Sequence, residues 1–477
     1  MNATKIYKFL ILLMLGLSTV LQAKNISLTD YLNSLYAYNP TLKRIYNHER
    51  EQEALVNQQF AQWDTHLFFN GTYGFGGVSF VGSFAPEVRN ININAGQSKE
   101  INGSIHSLSI YHSQSLNPPA VETPSFSLTI PDILQIGLTY SYTKPLLKNY
   151  KGLLSDSQKN KLSTQKKLLQ LSSKEDEEEF LLLCLNDYLN WVRLQKRVDV
   201  LKLEIEKAKN QYTITSALLK DKLVDKQDEY RAKKRLLFTE RAYKNEKSNL
   251  DQQTKLIQEQ IGIKEPISPD LNVYKSIESF SVSKEKVFSS LPFQVLEELE
   301  KDIQLDKRIA EEMQKKELNL NASLSTASFG NDTSSMIENL GSANSASIGI
   351  SGQFSKQQTQ SKSLIEKAEF ASKRLANDKA ILQQELSYNF DKLLLQRNLL
   401  ADNITHQKEI IELSRSIEQL EANAYKRAQR SSLIIIIEAQ RDLLQDQLQL
   451  IDFAIQKDLT HLALLQLSDD LLHKVKP

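Results

Sequence analysis

Gln135-Ile136-Gly137-Leu138-Thr139-Tyr140-Ser141-Tyr142 reads against Ser347-Ile348-Gly349-Ile350-Ser351-Gly352-Gln353-Phe354. Both stretches alternate apolar with small polar residues, and both lead into a long helix-patterned segment. Working outward, each half of the 477-residue chain repeats one order: a helical lead-in, two alternating strands around a loop, then a long helical hairpin. Internal duplication constrains architecture more strongly than any local motif.

The first repeat covers residues 24–265. Residues 28–61 read as helix, divided at Asn39-Pro40 because proline is best tolerated in a helix first turn. A first strand at about 65–76 sets Leu67, Phe69, Gly71, Tyr73 and Phe75 on one face; Phe68 interrupts the polar face. Residues 77–131 read as a long irregular loop rich in Gly, Ser, Asn and Pro, with Asn117-Pro118-Pro119 within it. Alternation at Phe126, Leu128 and Ile130 marks short β candidates inside that loop. The second strand, about 133–143, alternates Leu134, Ile136, Leu138, Tyr140 and Tyr142 with Gln135, Gly137, Thr139, Ser141 and Thr143.

A helical hairpin is expected over 149–262. Its first arm, from about Tyr150 to Tyr212, is roughly 60 residues, or ~90 Å of helix. A break is expected near Thr213-Ile214-Thr215, and a second arm ends at Ile261 with Gly262 as its cap. A linker follows at 266–290. The second repeat covers 291–472, with a helix from about Pro292 to Lys316 and strands at about 317–327 and 345–355. The loop between these strands turns at Gly330-Asn331-Asp332. The second hairpin, 359–472, has arms from about Thr359 to Asn423 and Ser431 to Leu472. Residues 473–477 form a tail.

Net charge is +1, which points neither to nucleic acid nor to an acidic ligand. Only 15 Gly and 11 Pro suit long uninterrupted helices. The one cysteine, Cys184 within Phe180–Leu185, reads as a small buried apolar residue, with no disulfide or Cys-based metal cluster. Residues 1–23 read as a signal peptide: Lys5 and Lys8, then an apolar core from Phe9 to Val20 too short to span a bilayer, then Leu21-Gln22-Ala23. An N-terminal membrane anchor is the alternative. No cysteine follows that site, so a lipid anchor is not expected, and no later apolar run reaches 18 residues.

In all four strands the apolar face is free of Lys and Glu, and the other face is built of small uncharged residues. That is the pattern of a strand between lipid and water. The candidate lipid-facing residues are Leu67, Phe69, Tyr73, Leu134, Ile136, Leu138, Tyr140, Leu318, Leu320, Ile348, Ile350 and Phe354. A soluble sandwich face with a solvated back is the competing reading. In lipid a sheet cannot keep free edges, because each unpaired backbone group costs several kcal/mol. Four strands therefore require further copies: two would give eight strands, and three would give twelve with room for a channel. The fold expected is mainly α with membrane β: a duplicated unit of long helical hairpins and four strands per chain, closing as a cyclic trimer.

The long helices carry apolar residues over a wide arc, for example Leu181, Leu182, Leu183, Leu185 and Leu189, which permits neighbours on both sides. The run Lys174-Glu175-Asp176-Glu177-Glu178-Glu179 reads as a solvated helix face.

After residue 23 the chain resembles the TolC-like outer-membrane channel family (outer membrane efflux proteins). The resemblance rests on the duplicated order, the Asn39-Pro40 lead-in and Thr143-Lys144-Pro145-Leu146-Leu147 entering a long helix. It also rests on Leu433 to Gln440, which is similar to the family's turn into the last long helix. The resemblance implies a homotrimer in which twelve strands form an outer-membrane barrel, continued by a periplasmic α-helical barrel. It implies an exit duct of a tripartite efflux pump or a type I secretion system in a Gram-negative outer membrane. Such a duct works with an inner-membrane transporter and a periplasmic adaptor (membrane fusion) protein.

The family's periplasmic end is closed by inward-curling helices and a ring of acidic residues. In Ile434-Ile435-Ile436-Ile437-Glu438-Ala439 the second acidic position matches Glu438, and Ile435 occupies the first. The equivalent turn of the first copy, Leu223-Val224-Asp225-Lys226-Gln227-Asp228, lacks the Gly that often precedes it in the family. Ile434, Ile435, Glu438, Asp225 and Asp228 are thus the candidate periplasmic gate. With Ile435 the constriction is partly apolar, closing by packing or dewetting as well as by charge. The alternative is that Ile434 to Ile437 is buried helix packing. Carboxylates around an axis at ~4–8 Å in water repel by only ~0.5–1 kcal/mol per pair, enough to bias ion selectivity but not to lock a pore.

No nucleotide loop, dinucleotide fingerprint or zinc-protease helix occurs, and the seven histidines show no metal-ligand spacing. No enzyme activity and no cofactor are expected. A periplasmic adaptor or another exported coiled-coil structural protein is the rival. An adaptor would carry one hairpin flanked by β-rich segments, where this chain has two hairpins with strand pairs.

Overall fold

A computed structural model describes residues 24–77, 87–116, 120–123, 126–129, 134–272, 283–330, 338–339, 341–354, 359–426 and 432–475. The expected signal peptide, Asn117-Pro118-Pro119, Ile130, Asn331-Asp332, the middle of the 266–290 linker, Ser431 and the last two residues of the tail lie outside the described residues.

In chain order the elements are β1 (Lys24–Ile26), α1 (Leu28–Tyr38), α2 (Pro40–Phe60), β2 (His66–Gly77), β3 (Glu87–Ile101), β4 (Ser104–Leu116), β5 (Ala120–Thr123), β6 (Phe126–Thr129) and β7 (Leu134–Pro145). Then come α3 (Leu153–Lys220), α4 (Lys226–Ile261), β8 (Ile267–Pro269), α5 (Lys284–Val287), α6 (Leu291–Gln314), β9 (Glu317–Gly330) and β10 (Ala343–Gln353). The chain closes with α7 (Thr359–Lys426), α8 (Leu433–Leu467) and α9 (Asp470–Val475). It divides into two compact units: Met1–Glu49, Leu171–Gln294 and Lys379–Pro477 form one, and Arg50–Gln170 with Val295–Asp378 the other.

The first unit is helical. Ser27 and Asp30 make a reciprocal capping box that starts α1. Asn39 separates α1 from α2; its Oδ1 accepts the Thr41 amide at 2.8 Å, and its Nδ2 donates to the Gln260 carbonyl oxygen at 3.1 Å. Gly262 ends α4 in the left-handed region at φ 70°. The core sits where α1, α3, α4 and α8 meet, around Tyr31, Leu35, Tyr188, Trp191, Ile257 and Leu465. Its buried ring donors are paired: the Tyr188 hydroxyl donates to the Ile26 carbonyl oxygen at 2.8 Å, and Trp191 Nε1 donates to Thr254 Oγ1 at 2.9 Å. Burial pushes the Cys184 thiol up to about 12, so it is an inert core group. Within the expected linker, β8 pairs in parallel with β1.

Two expectations about this unit are corrected. The break near Thr213-Ile214-Thr215 is absent, and α3 runs on to Lys220. The Thr213 and Thr215 hydroxyls donate to the carbonyl oxygens of Lys209 and Gln211, so these β-branched residues are satisfied inside the helix. The charge run 174–179 is not uniformly solvated. Glu177 and Glu178 are only 3% and 4% exposed, and Glu177 accepts hydrogen bonds from the Tyr36 and Tyr46 hydroxyls.

The second unit holds a six-stranded antiparallel sheet in the order β10-β9-β7-β4-β3-β2. This corrects the count of four strands per chain and the reading of 77–131 as an irregular loop. β3 and β4 form a hairpin inserted between the two expected strands of the first repeat. Its turn, Asn102-Gly103, places both residues at positive φ (50° and 76°), the geometry of a tight hairpin turn. Phe126–Thr129 is β structure, but it pairs with β5 in a separate two-stranded sheet.

Candidate functional site

The register assigns every sheet residue to a face. Rows such as Tyr73–Ile91–Gln114–Leu134 and Leu67–Gln97–Leu108–Tyr140–Leu324–Ala346 share one side. All twelve candidate lipid-facing residues fall on this side, with Phe354 following by strand parity just beyond β10. Large apolar groups stand exposed there, with Leu67 and Ile348 each at 81% and Phe69 and Ile350 at 71% and 70%. The inserted hairpin adds Ile91, Ile93, Ala95, Leu108 and Ile110 to the same face. Polar side chains interrupt this face toward both ends of the strands: His112, Gln114, Thr326 and Ser328 at the end remote from the helices, and Gln97, Lys99 and His106 toward the helix side.

The opposite face carries Asn70, Thr72, Asn92, Asn94, Ser107, Ser109, Thr139, Ser141, Asn321, Ser323, Ser347 and Ser351, cross-linked by side-chain hydrogen bonds. Ser113 Oγ donates to Asn92 Oδ1 at 2.6 Å, and Ser323 and Ser347 hydroxyls are 2.7 Å apart. On this polar face Phe68 and Tyr111 each sit over a glycine of the neighbouring strand. A Cβ on Gly96 would fall 2.7 Å from the Phe68 ring, and one on Gly137 would fall 2.5 Å from the Tyr111 ring. Phe68, which breaks the alternation in sequence, is thus seated against Gly96.

The rows also climb across the sheet. The row that begins at Leu67, at the helix-side end of β2, ends at Ala346, near the opposite end of β10. This stagger is the strand tilt that barrel closure requires.

The five gate candidates lie in the helical unit on two helix starts that share a small core. Leu433, Ile436, Ala232 and Tyr425 are buried together, with Val224 and Ile437 packed against them. The run Ile434–Ile437 therefore splits. Ile436 is buried, whereas Ile434 and Ile435 are 38% and 44% exposed, and Glu438 is exposed. Ile434 and Glu438 line a cavity of about 680 Å3 between α4 and α8, together with Arg231, Lys234, Arg235 and Phe238. Ile435 is not among its lining residues. Asp225 is the N-cap of α4 without a side-chain cap bond, and Asp228 pairs with Arg231 at 3.1 Å. Lys222 takes the left-handed conformation (φ 59°) in the turn where the family often has a glycine.

Sequence reading missed the cations that line the same cavity as Glu438. Arg235 is the central one: Nη1 donates to the Ile437 carbonyl oxygen at 2.9 Å, and Nη2 to Glu204 at 3.2 Å. Burial lowers the guanidinium pKa, and Glu204 and Glu418 act against that shift. The signal was the basic spacing Arg231, Lys234, Arg235 in the turn after Asp228.

No family model and no curated protein matches this sequence. Solved structures do match over nearly the whole chain. The channel protein CusC aligns with a TM-score of 0.68 at 13% identity, covering 92% of this chain and 91% of that one. The chain has the fold of the TolC-like outer-membrane channels. The outer membrane protein VceC of Vibrio cholerae aligns at 0.64 and 11% identity, covering 94% and 95% of the two chains. The Campylobacter jejuni CmeC outer membrane channel aligns at 0.65 and 12%, covering 94% and 89%. In this TolC-like fold the sheet and the paired long helices are the shared framework, and the sequence identity is too low to carry a residue's role across.

Proposed function

We propose that the chain is an outer-membrane channel subunit, the passive exit duct of an efflux pump or a type I secretion system. One observation carries this reading. A single sheet presents large exposed apolar side chains on one face and small uncharged polar ones on the other. In water such a face would be a strong aggregation surface; against lipid it is the ordinary outside of a barrel.

The reading requires more than one copy. Among the described residues β2 and β10 are the outer strands of the sheet, and unpaired backbone groups are not tolerated in the hydrocarbon. A homotrimer, as the resemblance implies, joins edge to edge and continues through its helical hairpins into the periplasm. There an adaptor and an inner-membrane transporter dock. The first turns of α4 and α8, with Asp225, Asp228, Ile434, Ile435 and Glu438, form the periplasmic end that opens on docking. The duct performs no chemistry and uses no cofactor.

The test is extraction and size. The protein should fractionate with the outer membrane, require detergent and elute as a trimer that conducts ions in planar bilayers. Protein that is soluble and monomeric without detergent would overturn the reading.

A further inference from the structure

We propose that the β3–β4 hairpin is part of the transmembrane wall, so that three copies close a barrel of eighteen strands, six from each, in place of twelve. The inference rests on the channel reading above and goes beyond it, because four strands per chain is the pattern the resemblance implies.

Three features of the hairpin argue for it. First, its ladders are continuous on both sides. β2 pairs with β3 from His66–Ser98 to Gly77–Glu87, and β4 with β7 from Ile105–Thr143 to Gln114–Leu134. Removing the hairpin from the sheet would expose both rows of backbone groups. Second, both joints carry the same device, an aromatic ring laid over a glycine: Phe68 on Gly96 and Tyr111 on Gly137. Gln135 Nε2 fixes the second by donating to the Tyr111 hydroxyl at 2.8 Å. Third, the charged residues of β3 lie at its two ends, Glu87 and Arg89 at one and Lys99 and Glu100 at the other, and β4 has none. The uncharged stretch between Arg89 and Lys99 has the length of a tilted membrane strand, about 9–11 residues.

The turn of the hairpin is also anchored. Ser155 Oγ donates to Glu100, and Asn149 Nδ2 lies 3.4 Å from the same carboxylate. Gly103 packs so closely on the turn before α3 that a Cβ would fall 2.5 Å from the Gly152 nitrogen.

Strand direction permits closure. Every neighbouring pair in the sheet is antiparallel, and the number of strands is even. β10 of one copy therefore runs opposite to β2 of the next, as a continuing antiparallel ladder needs. Adding two strands keeps that parity and widens the ring. Barrel diameter grows about linearly with strand number, so the lumen would be about half as wide again as in a twelve-stranded barrel.

Cryo-electron microscopy of the wild-type protein in lipid nanodiscs counts the strands directly. Eighteen in the wall of a trimer is the expected result. A trimer with twelve, and β3–β4 standing off the wall, overturns this inference and leaves the channel reading intact. A monomer that is soluble without lipid overturns the channel reading itself. Single cysteines give a second readout, since the native Cys184 is buried. Ile93→Cys and Ile110→Cys should react only with a membrane-soluble maleimide, and Asn92→Cys and Ser113→Cys with a water-soluble one. Equal labelling of both pairs by the water-soluble reagent overturns the proposal.

Discussion

Arg235 and Ile437 are joined across the helical unit: the guanidinium Nη1 of α4 donates to a main-chain carbonyl oxygen in the first turn of α8, at 2.9 Å. The same group pairs with Glu204 of α3, which is only 2% exposed. One buried cation thus ties the start of α8 to the two helices of the first hairpin. Arg235→Met removes that tie and leaves Glu204 with Lys207 as its remaining ion partner. The expected cost is roughly 3 kcal/mol, the low end of the range for breaking a buried pair, because Lys207 still faces Glu204. In bilayers the variant should open more often than wild type. Thermal melts and single-channel records check the two effects separately.

Glu438 and Ile435 should act on permeation in different ways. Glu438→Gln removes an exposed carboxylate from a neighbourhood already rich in Arg and Lys. Cation preference should fall by about two- to five-fold, the equivalent of ~0.5–1 kcal/mol. Ile435→Ser should leave selectivity alone and raise leak by easing wetting. If reversal potentials and closed-state leak are unchanged in both variants, the constriction lies elsewhere.

Glu178 gives the helical unit a pH dependence. It sits beside Asp469, whose side chain accepts the Leu291 amide at the start of α6. Burial, with Asp469 adding to it, raises Glu178 from 4.5 to about 8, and burial raises Asp469 to about 6. A carboxyl raised by folding holds its proton in the native state while the unfolded chain has lost it. Stability therefore falls as pH rises from about 4.5 to about 8 and is flat above. Glu178→Gln should remove most of this slope. At pH 8 its melting temperature should exceed that of wild type by about 1–2 °C, the shift for ~1 kcal/mol in a chain of this size. At pH 4.5 the two should coincide. A melting curve of the variant that still tracks wild type at both pH values would refute the assignment.

Gly103→Ala tests the seat of the inserted hairpin. The position is at φ 76°, and the added methyl meets the Gly152 backbone. Left-handed strain alone costs roughly 1–2 kcal/mol, and the collision adds to it. The variant should assemble poorly into the membrane. Asn102→Gly, in the same turn, should be tolerated because glycine meets the positive φ without strain. Outer-membrane yield and resistance of the assembled form to heat in detergent compare the two.

Lys222→Gly should be neutral or stabilising by up to ~1 kcal/mol, because the turn after α3 needs a positive φ that a side chain resists. Lys222→Val should destabilise. Denaturation midpoints of the two variants would show the ordering.

Alternation by itself was enough to place Leu67, Ile136, Leu320 and Ile348 on one face, because side-chain direction in a strand is fixed by parity. Helix boundaries at Asn39-Pro40 and Gly262 were likewise local, set by a missing amide proton and a left-handed residue. The Asn102-Gly103 turn was legible too, as an Asn-Gly pair between Ile101 and Ser104. It was obscured because Gln97, Lys99, His106 and His112 dilute the apolar face of its strands. The strand order is different in kind. Nothing local tells β4 to lie beside β7, because that choice depends on a ring of one strand fitting over a glycine of another. The same holds for Glu177 and Glu178, which read as solvated until the tyrosines of α1 and α2 and the turn at Asp469 close over them. Sequence determined the periodicities and the turns. Tertiary structure decided which edges and faces meet, because pairing and desolvation depend on groups far apart in the chain.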